Sequence, residues 1–499
     1  ALSVMNCLPL PSVLLLWTLV SSLPSLSQSS APHWEWLVPV QAPWTFKLRS
    51  FNQTLDHFNA YAQQTFEQRY LLNSTFWGGT AKRAPIFFFT GAEEGDVTRV
   101  PGAYRHVLEM AQRLEAMVVF MEARFFGESF PFGVERSFDH DPEHLGLLSV
   151  EQILLDYVNI ITSIREEFDQ TGGCPTLVFG GSMAGTLFAM MRLKYPTIVD
   201  MALASSAPLR GYAMPGVDPY AWRKRVTDTW VSLSGLDCPI EVLVRSGFEA
   251  LSSAHPAEVK DAFRTCEVAY VGNHIDAQGK MWGVLEGNAE FVYPQAASSI
   301  PRRCQAAHAA LVATRSPLRA FAALYNFDGA QPCMNLTQQR LSTPSARSWD
   351  YIACTEIVHP IGCNNVTDFF PPSAWTLNAT GEYCNSRWGV RPLDGGRWLP
   401  LTFGFFDARR LATSASRIVF AYGGYDPWHV FQVSDSSLSA ELPVVNIPNG
   451  SHCADMLGSR GDGTDTPDML AARALEEEIV GDWLVAVQDE REGAGSIVV

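Results

Sequence analysis

Three residues far apart in this 499-residue chain could together activate a hydroxyl: Ser182, Asp426 and His452. Ser182 sits in Gly180-Gly181-Ser182-Met183-Ala184-Gly185, where Ala184 stands two places after the serine in a position that often holds glycine. The apolar run Thr176-Leu177-Val178-Phe179 leads in, and a helix-like segment from Thr186 to Lys194 leads out. A serine between small residues at a sharp strand-to-helix turn has its hydroxyl lifted clear of the sheet. The backbone N–H groups that follow it then face an incoming carbonyl. A serine hydroxyl is a weak nucleophile until a base takes its proton, and the base needs an acid to orient it. The competing reading is a glycine-rich turn whose serine is incidental.

The chain supplies both partners, each just after an apolar run that reads as a buried strand. Arg417-Ile418-Val419-Phe420-Ala421 runs into Gly423-Gly424-Tyr425-Asp426-Pro427-Trp428-His429, and Pro443-Val444-Val445-Asn446-Ile447 runs into Asn449-Gly450-Ser451-His452-Cys453. The C-terminal ends of parallel strands are where open α/β sheets place their ligands. His429 competes for the role of base, but it lies three residues after Asp426 on the same loop. It would have to reach Ser182 while Asp426 supported it from behind, so His452 is the better base. Cys453 reads as a packed neighbour or bridge partner rather than a second nucleophile.

The intervening pattern alternates strand and helix. Ile86-Phe87-Phe88-Phe89 and Met117-Val118-Val119-Phe120-Met121 read as buried strands, with a helix from Ala103 to Leu114 between them. A helix over Ser149 to Phe168 carries a Ser149/Gln152 capping-box pair and apolar residues at Ile153, Leu154, Tyr157, Ile161 and Ile164. Met201-Ala202-Leu203-Ala204 reads as another strand. Such alternation calls for a mostly parallel sheet covered on both faces, and with a serine at the turn it predicts an α/β-hydrolase fold. From Leu209 to about Ser348 the pattern becomes helical and cysteine-bearing, and strands return near Arg417. The expected organisation is a signal peptide over 1–30, a first hydrolase part over 46–208, a helical cap insertion over 209–348 and a second hydrolase part over 349–499.

Composition agrees with a large folded core: 47% of residues are hydrophobic and 18% charged. The net charge of -16 argues against a nucleic-acid partner, which would need a basic face. The apolar stretch from Cys7 to Val20, followed by Ser/Pro-rich sequence, reads as a secretory signal, too short to span a bilayer comfortably. No later stretch reads as a stable membrane span. Five acceptor triplets for N-glycosylation fit that route, at Asn52, Asn73, Asn335, Asn365 and Asn378. A sixth, at Asn449, would crowd His452. Of ten cysteines, seven lie between Cys238 and Cys384 with irregular spacing that fits no zinc pattern. They read as a disulfide-stapled insert, with at least one thiol left over, and no metal or cofactor is expected.

The chain also resembles the prolyl-carboxypeptidase family of serine peptidases, from about Phe51 to Leu484. The likeness rests on Phe51-Asn52-Gln53-Thr54-Leu55-Asp56-His57-Phe58, Arg124-Phe125-Phe126-Gly127-Glu128-Ser129, the serine turn, Ala204-Ser205-Ser206-Ala207-Pro208, Ala353-Cys354-Thr355-Glu356, Trp388-Gly389-Val390-Arg391-Pro392, Asp426-Pro427-Trp428 and Ser451-His452-Cys453. Ala184 and the Trp-His and His-Cys pairs look most like its thymus-specific branch, and the Trp388 run looks like its carboxypeptidase branch. The resemblance implies an α/β-hydrolase fold with a helical, disulfide-containing cap inserted after the serine turn. It implies a catalytic Ser182, Asp426 and His452, an oxyanion hole from Met183 and the Gly91 loop, and a proline pocket walled by Trp428. Met183, Tyr422 and Ala123 depart from the family pattern, where Tyr, Asn and His are usual.

The implied activity is a serine exopeptidase acting beside proline in short peptides, through an acyl-enzyme, in the secretory pathway, secreted or lysosomal. A lipase or esterase on the same fold, and a catalytically silent binding protein, are the rival readings. A homodimer and the direction of trimming stay open.

Overall fold

The computed structural model describes residues 44–495 apart from 62, 91–94, 140, 267–273, 293–297, 331, 336–342, 434–438 and 459–464. The expected signal segment, 1–30, lies outside the described residues, as does Gly91. Among the described residues no helix is long and apolar enough to cross a membrane.

Eight strands form one sheet: β1 (Lys47–Thr54), β2 (Thr65–Asn73), β3 (Ile86–Thr90), β4 (Met117–Met121), β5 (Thr176–Gly181), β6 (Met201–Ser205), β7 (Ile418–Gly423) and β8 (Val444–Ile447). Their spatial order is β1-β2-β4-β3-β5-β6-β7-β8. From β4 through β8 all neighbours are parallel, whereas β1–β2 and β2–β4 are antiparallel. Every residue of β3, β4, β5, β6 and β7 is buried, as continuous apolar strands covered on both faces must be. The antiparallel strands β1, at the edge, and β2 beside it are not singled out in the sequence; β1 is mostly exposed or half-buried, and β2 alternates exposed and buried residues only in its first part.

The helices Arg105–Arg113, Val150–Phe168 and Ser182–Lys194 cover the sheet within a residue or two of expectation, except that the last begins at the serine itself. Ser149 caps its helix by accepting from the Gln152 N–H at 3.3 Å. The reciprocal arm of the expected capping box is absent, because the Gln152 side chain serves the N-terminal segment instead. It donates to Asp56 Oδ1 (2.7 Å) and accepts from the His57 N–H (3.1 Å).

Between β6 and β7 the chain is helical, including Ala221–Ser234, Ile240–Ser253, Pro256–Phe263, His274–Glu290, Ile300–Thr314 and Pro317–Tyr325. These helices share a core of their own, built on Trp222, Trp230, Leu243, Met281 and Phe321, which reaches Trp428 and Phe431 of the loop after β7. Disulfides Cys238–Cys304 and Cys266–Cys333 staple this layer, and Cys354–Cys384 joins the helices Pro344–Thr355 and Leu377–Trp388. The remaining cysteine of the expected seven, Cys363, lies 2.8 Å from the Pro371 carbonyl. Cys174 and Cys453 are buried thiols. A mostly parallel sheet, a serine turn after β5 and a disulfide-bearing helical layer entered after β6 make this an α/β-hydrolase fold with a cap.

Two buried polar clusters explain why the N-terminal and Arg124 motifs occur together. Arg124 is fully buried and grips Asp156 with two bonds, Nε to Oδ2 at 2.7 Å and Nη2 to Oδ1 at 2.6 Å, while donating to the Thr54 and Leu55 carbonyls. His57 and Gln68 add bonds to the same carboxylate at 2.8 and 3.3 Å. Beside it, Glu122 takes Arg69, the Ser129 hydroxyl and the Val97 and Glu128 N–H groups. These motifs are therefore structural knots that tie β1, β2 and the helix Val150–Phe168 together. Ala123, where the family usually has histidine, is packed in the apolar core.

Glu356 gives a pH-dependent stability term. Its buried carboxylate accepts the Val150 N–H at 2.8 Å, at the start of the long helix, and burial pushes its pKa up to about 7. The folded state thus holds a proton that the unfolded chain releases above its ordinary value near 4.5, so stability falls as pH rises from there through about 7. Glu356→Gln should remove that fall. Between pH 4.5 and 8 its unfolding free energy should drop less than the wild type's by about 3 kcal/mol, measured by urea titration at several pH values. Parallel pH profiles would contradict this.

Candidate active site

β5 ends at Gly181, and the next residue, Ser182, opens the helix Ser182–Lys194 with φ of 58°. That left-handed backbone in a non-glycine residue is strained, and the neighbours show what holds it. A Cβ on Gly180 would stand 2.7 Å from the Ala184 Cβ, and a Cβ on Gly181 would run into the Cys453 sulfur. The turn is therefore wedged between its own helix and the loop after β8. Cys453 fills this interface, with burial raising its thiol pKa, and its N–H donates to the Ser206 hydroxyl at 2.9 Å.

Asp426 follows β7 and His452 follows β8, so both leave the same sheet edge as Ser182. Asp426 is wholly buried, and both of its oxygens lie 3.0 Å from His452 Nδ1. Its Oδ1 also accepts from the Trp428 N–H at 2.9 Å, which starts the turn Pro427–Phe431. Burial alone would push the His452 pKa down, but the Asp426 carboxylate and the contact with Cys453 outweigh it and hold the imidazole well above its usual value. The other ring nitrogen, Nε2, has no hydrogen-bond partner among the described residues. It lies 3.7 Å from Glu290 Oε1. Sequence expectation put Ser182 at that nitrogen, and the structure shows no such bond. It does place the serine turn against the residue adjoining His452.

His429 is turned away: its Nδ1 meets the Gly423 carbonyl at 3.0 Å, within its own loop. Tyr422, which replaces the family's usual asparagine, is buried and donates to the Ala207 carbonyl at 2.9 Å while accepting from the Val433 N–H. It thereby braces the segment after β6.

An apolar pocket opens directly beside Ser182, lined among others by Met183, Met190, Tyr212, Trp349, Leu399 and Trp428. His359 stands in its wall between the rings of Tyr212 and Trp428. Burial pushes the His359 pKa down to about 4 although the Gly211 carbonyl takes its Nδ1 at 2.7 Å, so the ring is neutral and Nδ1 carries the proton. Trp428 Nε1 donates to Glu290 Oε1 at 2.8 Å. Sequence reasoning missed both Glu290 and His359, since neither stands in a local pattern that marks it.

Four of the five glycan sites, Asn52, Asn335, Asn365 and Asn378, are exposed. Asn73 differs from them: it is buried, and its Nδ2 donates to the Thr45 carbonyl at 2.8 Å.

The serine carboxypeptidase S28 family model matches residues 53–476. Lysosomal Pro-X carboxypeptidase of Mus musculus is 30% identical over 507 residues, covering 96% of this chain and 99% of that one. The Homo sapiens protein of the same name is 29% identical, covering 87% of each. Thymus-specific serine protease of Mus musculus is 27% identical, covering 87% of this chain and 86% of its own. With a family match across most of its length and relatives aligned end to end, the chain belongs to the serine carboxypeptidase S28 family and is a serine-type peptidase.

Proposed function

We propose that this peptidase hydrolyses the bond on the carboxyl side of proline in short peptides, in the secretory pathway or lysosome, with Ser182 as nucleophile, His452 as base and Asp426 as its orienting acid. The observation that carries the assignment is the Asp426–His452 pair, with both carboxylate oxygens 3.0 Å from Nδ1, beside a serine held at φ 58°. Nδ1 protonated toward Asp426 leaves Nε2 as the proton acceptor, the tautomer the reaction needs. Hydrogen bonds to a nucleophile commonly tighten only when substrate is bound.

In the first step Ser182 Oγ bonds to the carbonyl carbon, and its proton passes to His452 Nε2. Asp426 stabilises the imidazolium. The Met183 N–H, at the first turn of its helix, and an N–H from the Gly91 loop would receive the oxyanion, each such donor contributing about 10²–10³ in rate. Collapse breaks the C–N bond as Nε2 returns the proton to the departing amine, and water then releases the acyl group by the same route in reverse.

The pocket supports proline as the residue before the cleaved bond. A pyrrolidine is a flat, apolar ring with little entropy to lose, and Trp428, Tyr212 and Trp349 offer it aromatic walls. The cap, taken as residues 209–348, roofs this edge and would admit short peptides rather than folded proteins. The names of the relatives agree with both proline and a lysosomal setting.

The test is mass spectrometry of a short-peptide library digested at several pH values. Cleavage confined to bonds beside proline at a chain end is expected. Cleavage without regard to proline, or hydrolysis of short esters alone, would contradict the reading.

A further inference from the structure

The helix His274–Glu290 of the cap ends directly on the loop that carries His452. Its last residue touches that loop twice. The Glu290 carbonyl accepts the His452 backbone N–H at 3.0 Å, and its side-chain Oε1 lies 3.7 Å from Nε2. The same Oε1 accepts the Trp428 indole N–H at 2.8 Å. Glu290 is fully buried, and its other oxygen, Oε2, has no hydrogen-bond partner among the described residues. A buried carboxylate with an unsatisfied oxygen is expensive as mere packing, because an apolar side chain of that size would fill the space at lower cost. Asp426 already holds the imidazole from the Nδ1 side, so orientation alone does not call for a second carboxylate.

We propose that Glu290 is a positioning residue: it holds the Nε2 side of His452 and the Trp428 wall of the pocket in one grip, and its charge sets the pH at which His452 becomes a free base. The proposal rests on the reading of His452 as base. An anion near Nε2 favours the imidazolium, so it assists the moment at which Nε2 takes the Ser182 proton. It also binds that proton more tightly in the resting enzyme, so the acid limb of activity lies at higher pH than Asp426 alone would place it.

The surroundings bear on how Glu290 ionises. Burial pushes its pKa up to about 7, the His452 charge and the Trp428 N–H oppose that, and Asp426 and Glu286 add to it. Glu286, on the same helix, is paired with Arg223 of the helix Ala221–Ser234 at 3.0 Å. From the β8 loop, Cys453 and Asp455 also face His452. Glu290 and His452 therefore titrate as a coupled pair.

The experiment measures the rate of inactivation by a fluorophosphonate against pH, for the wild type, Glu290→Gln, Glu290→Ala and Ser182→Ala. This probe needs the nucleophile and base but no proline recognition. Glutamine keeps the shape and an oxygen for the indole but has no charge. Its acid limb should move about one unit lower, a tenfold loss of proton affinity at the base, with KM for proline peptides nearly unchanged. Alanine should move the limb likewise and also raise KM several-fold by freeing Trp428. NMR titration of the His452 imidazole in the wild-type enzyme should show two interacting steps. A glutamine limb that coincides with the wild type's, or a single non-interacting imidazole step in the wild type, would overturn the proposal while leaving the underlying assignment intact. Labelling that persists in Ser182→Ala would overturn the assignment itself.

Discussion

Asp426→Asn should lower kcat by about 10⁴ and leave KM within about twofold of the wild type. Both carboxylate oxygens of Asp426 lie 3.0 Å from His452 Nδ1, so a ring proton is held at Nδ1 and Nε2 is left to accept. An asparagine that kept its carbonyl oxygen on the Trp428 N–H would turn an NH₂ group toward the ring. The imidazole would then be driven to the tautomer with its proton on Nε2, where it cannot take one from Ser182. The variant should still bind substrate, because the asparagine oxygen can keep the 2.9 Å bond that starts the Pro427–Phe431 turn and sets the pocket wall. Steady-state kinetics on a proline-containing peptide checks both parts. A loss of less than about tenfold would remove Asp426 from the mechanism, and a large rise in KM would mean the substitution had damaged the pocket instead.

The largest stability effect should come from Asp156→Ala. It leaves the fully buried Arg124 guanidinium without its two-bond carboxylate partner and strips His57 and Gln68 of an acceptor. Breaking one side of a buried ion pair typically costs about 3–5 kcal/mol, a large share of the roughly 5–15 kcal/mol that stabilises a domain. The damage should spread to the edge strand β1, since Arg124 also holds the Thr54 and Leu55 carbonyls at its end. Replacing both partners, as Arg124→Met with Asp156→Leu, should recover much of the loss because no charge is then stranded. Urea unfolding of the single and double variants measures this. A single variant within about 1 kcal/mol of the wild type would show that water reaches the guanidinium.

The three residues proposed for catalysis are legible as candidates in the sequence because each depends on local order. Ser182 follows an apolar strand and sits among residues too small to clash, and the contacts at Gly180 and Gly181 show why no larger side chain fits. Asp426 and His452 each follow an apolar run, and the parallel order β5-β6-β7-β8 brings those strand ends to one edge. Burial of both faces makes the central strands stand out as unbroken hydrophobic segments. The antiparallel strands are harder to see: β2 alternates in burial over Thr65–Tyr70 and then turns wholly buried at Leu71, so no single period marks it.

Glu290 and His359 are illegible for a different reason. Glu290 is 162 positions before His452 and lies in a helix whose sequence pattern says nothing about its last residue. Only the docking of the cap on the β8 loop puts its carboxylate beside an imidazole. Its burial runs against composition, since glutamate is among the residues least expected inside. The Gln152 side chain likewise departs from its local motif because Asp56 and His57, far away in the chain, compete for it.

The central claim is that Ser182 carries the acyl group. Intact-mass measurement after exposure to a fluorophosphonate tests it most directly, comparing the wild type with Ser182→Ala. One covalent adduct on the wild type, mapped to the peptide containing Ser182, and none on the variant is the expected result. An adduct that persists on the alanine variant would place the nucleophile elsewhere and contradict the account.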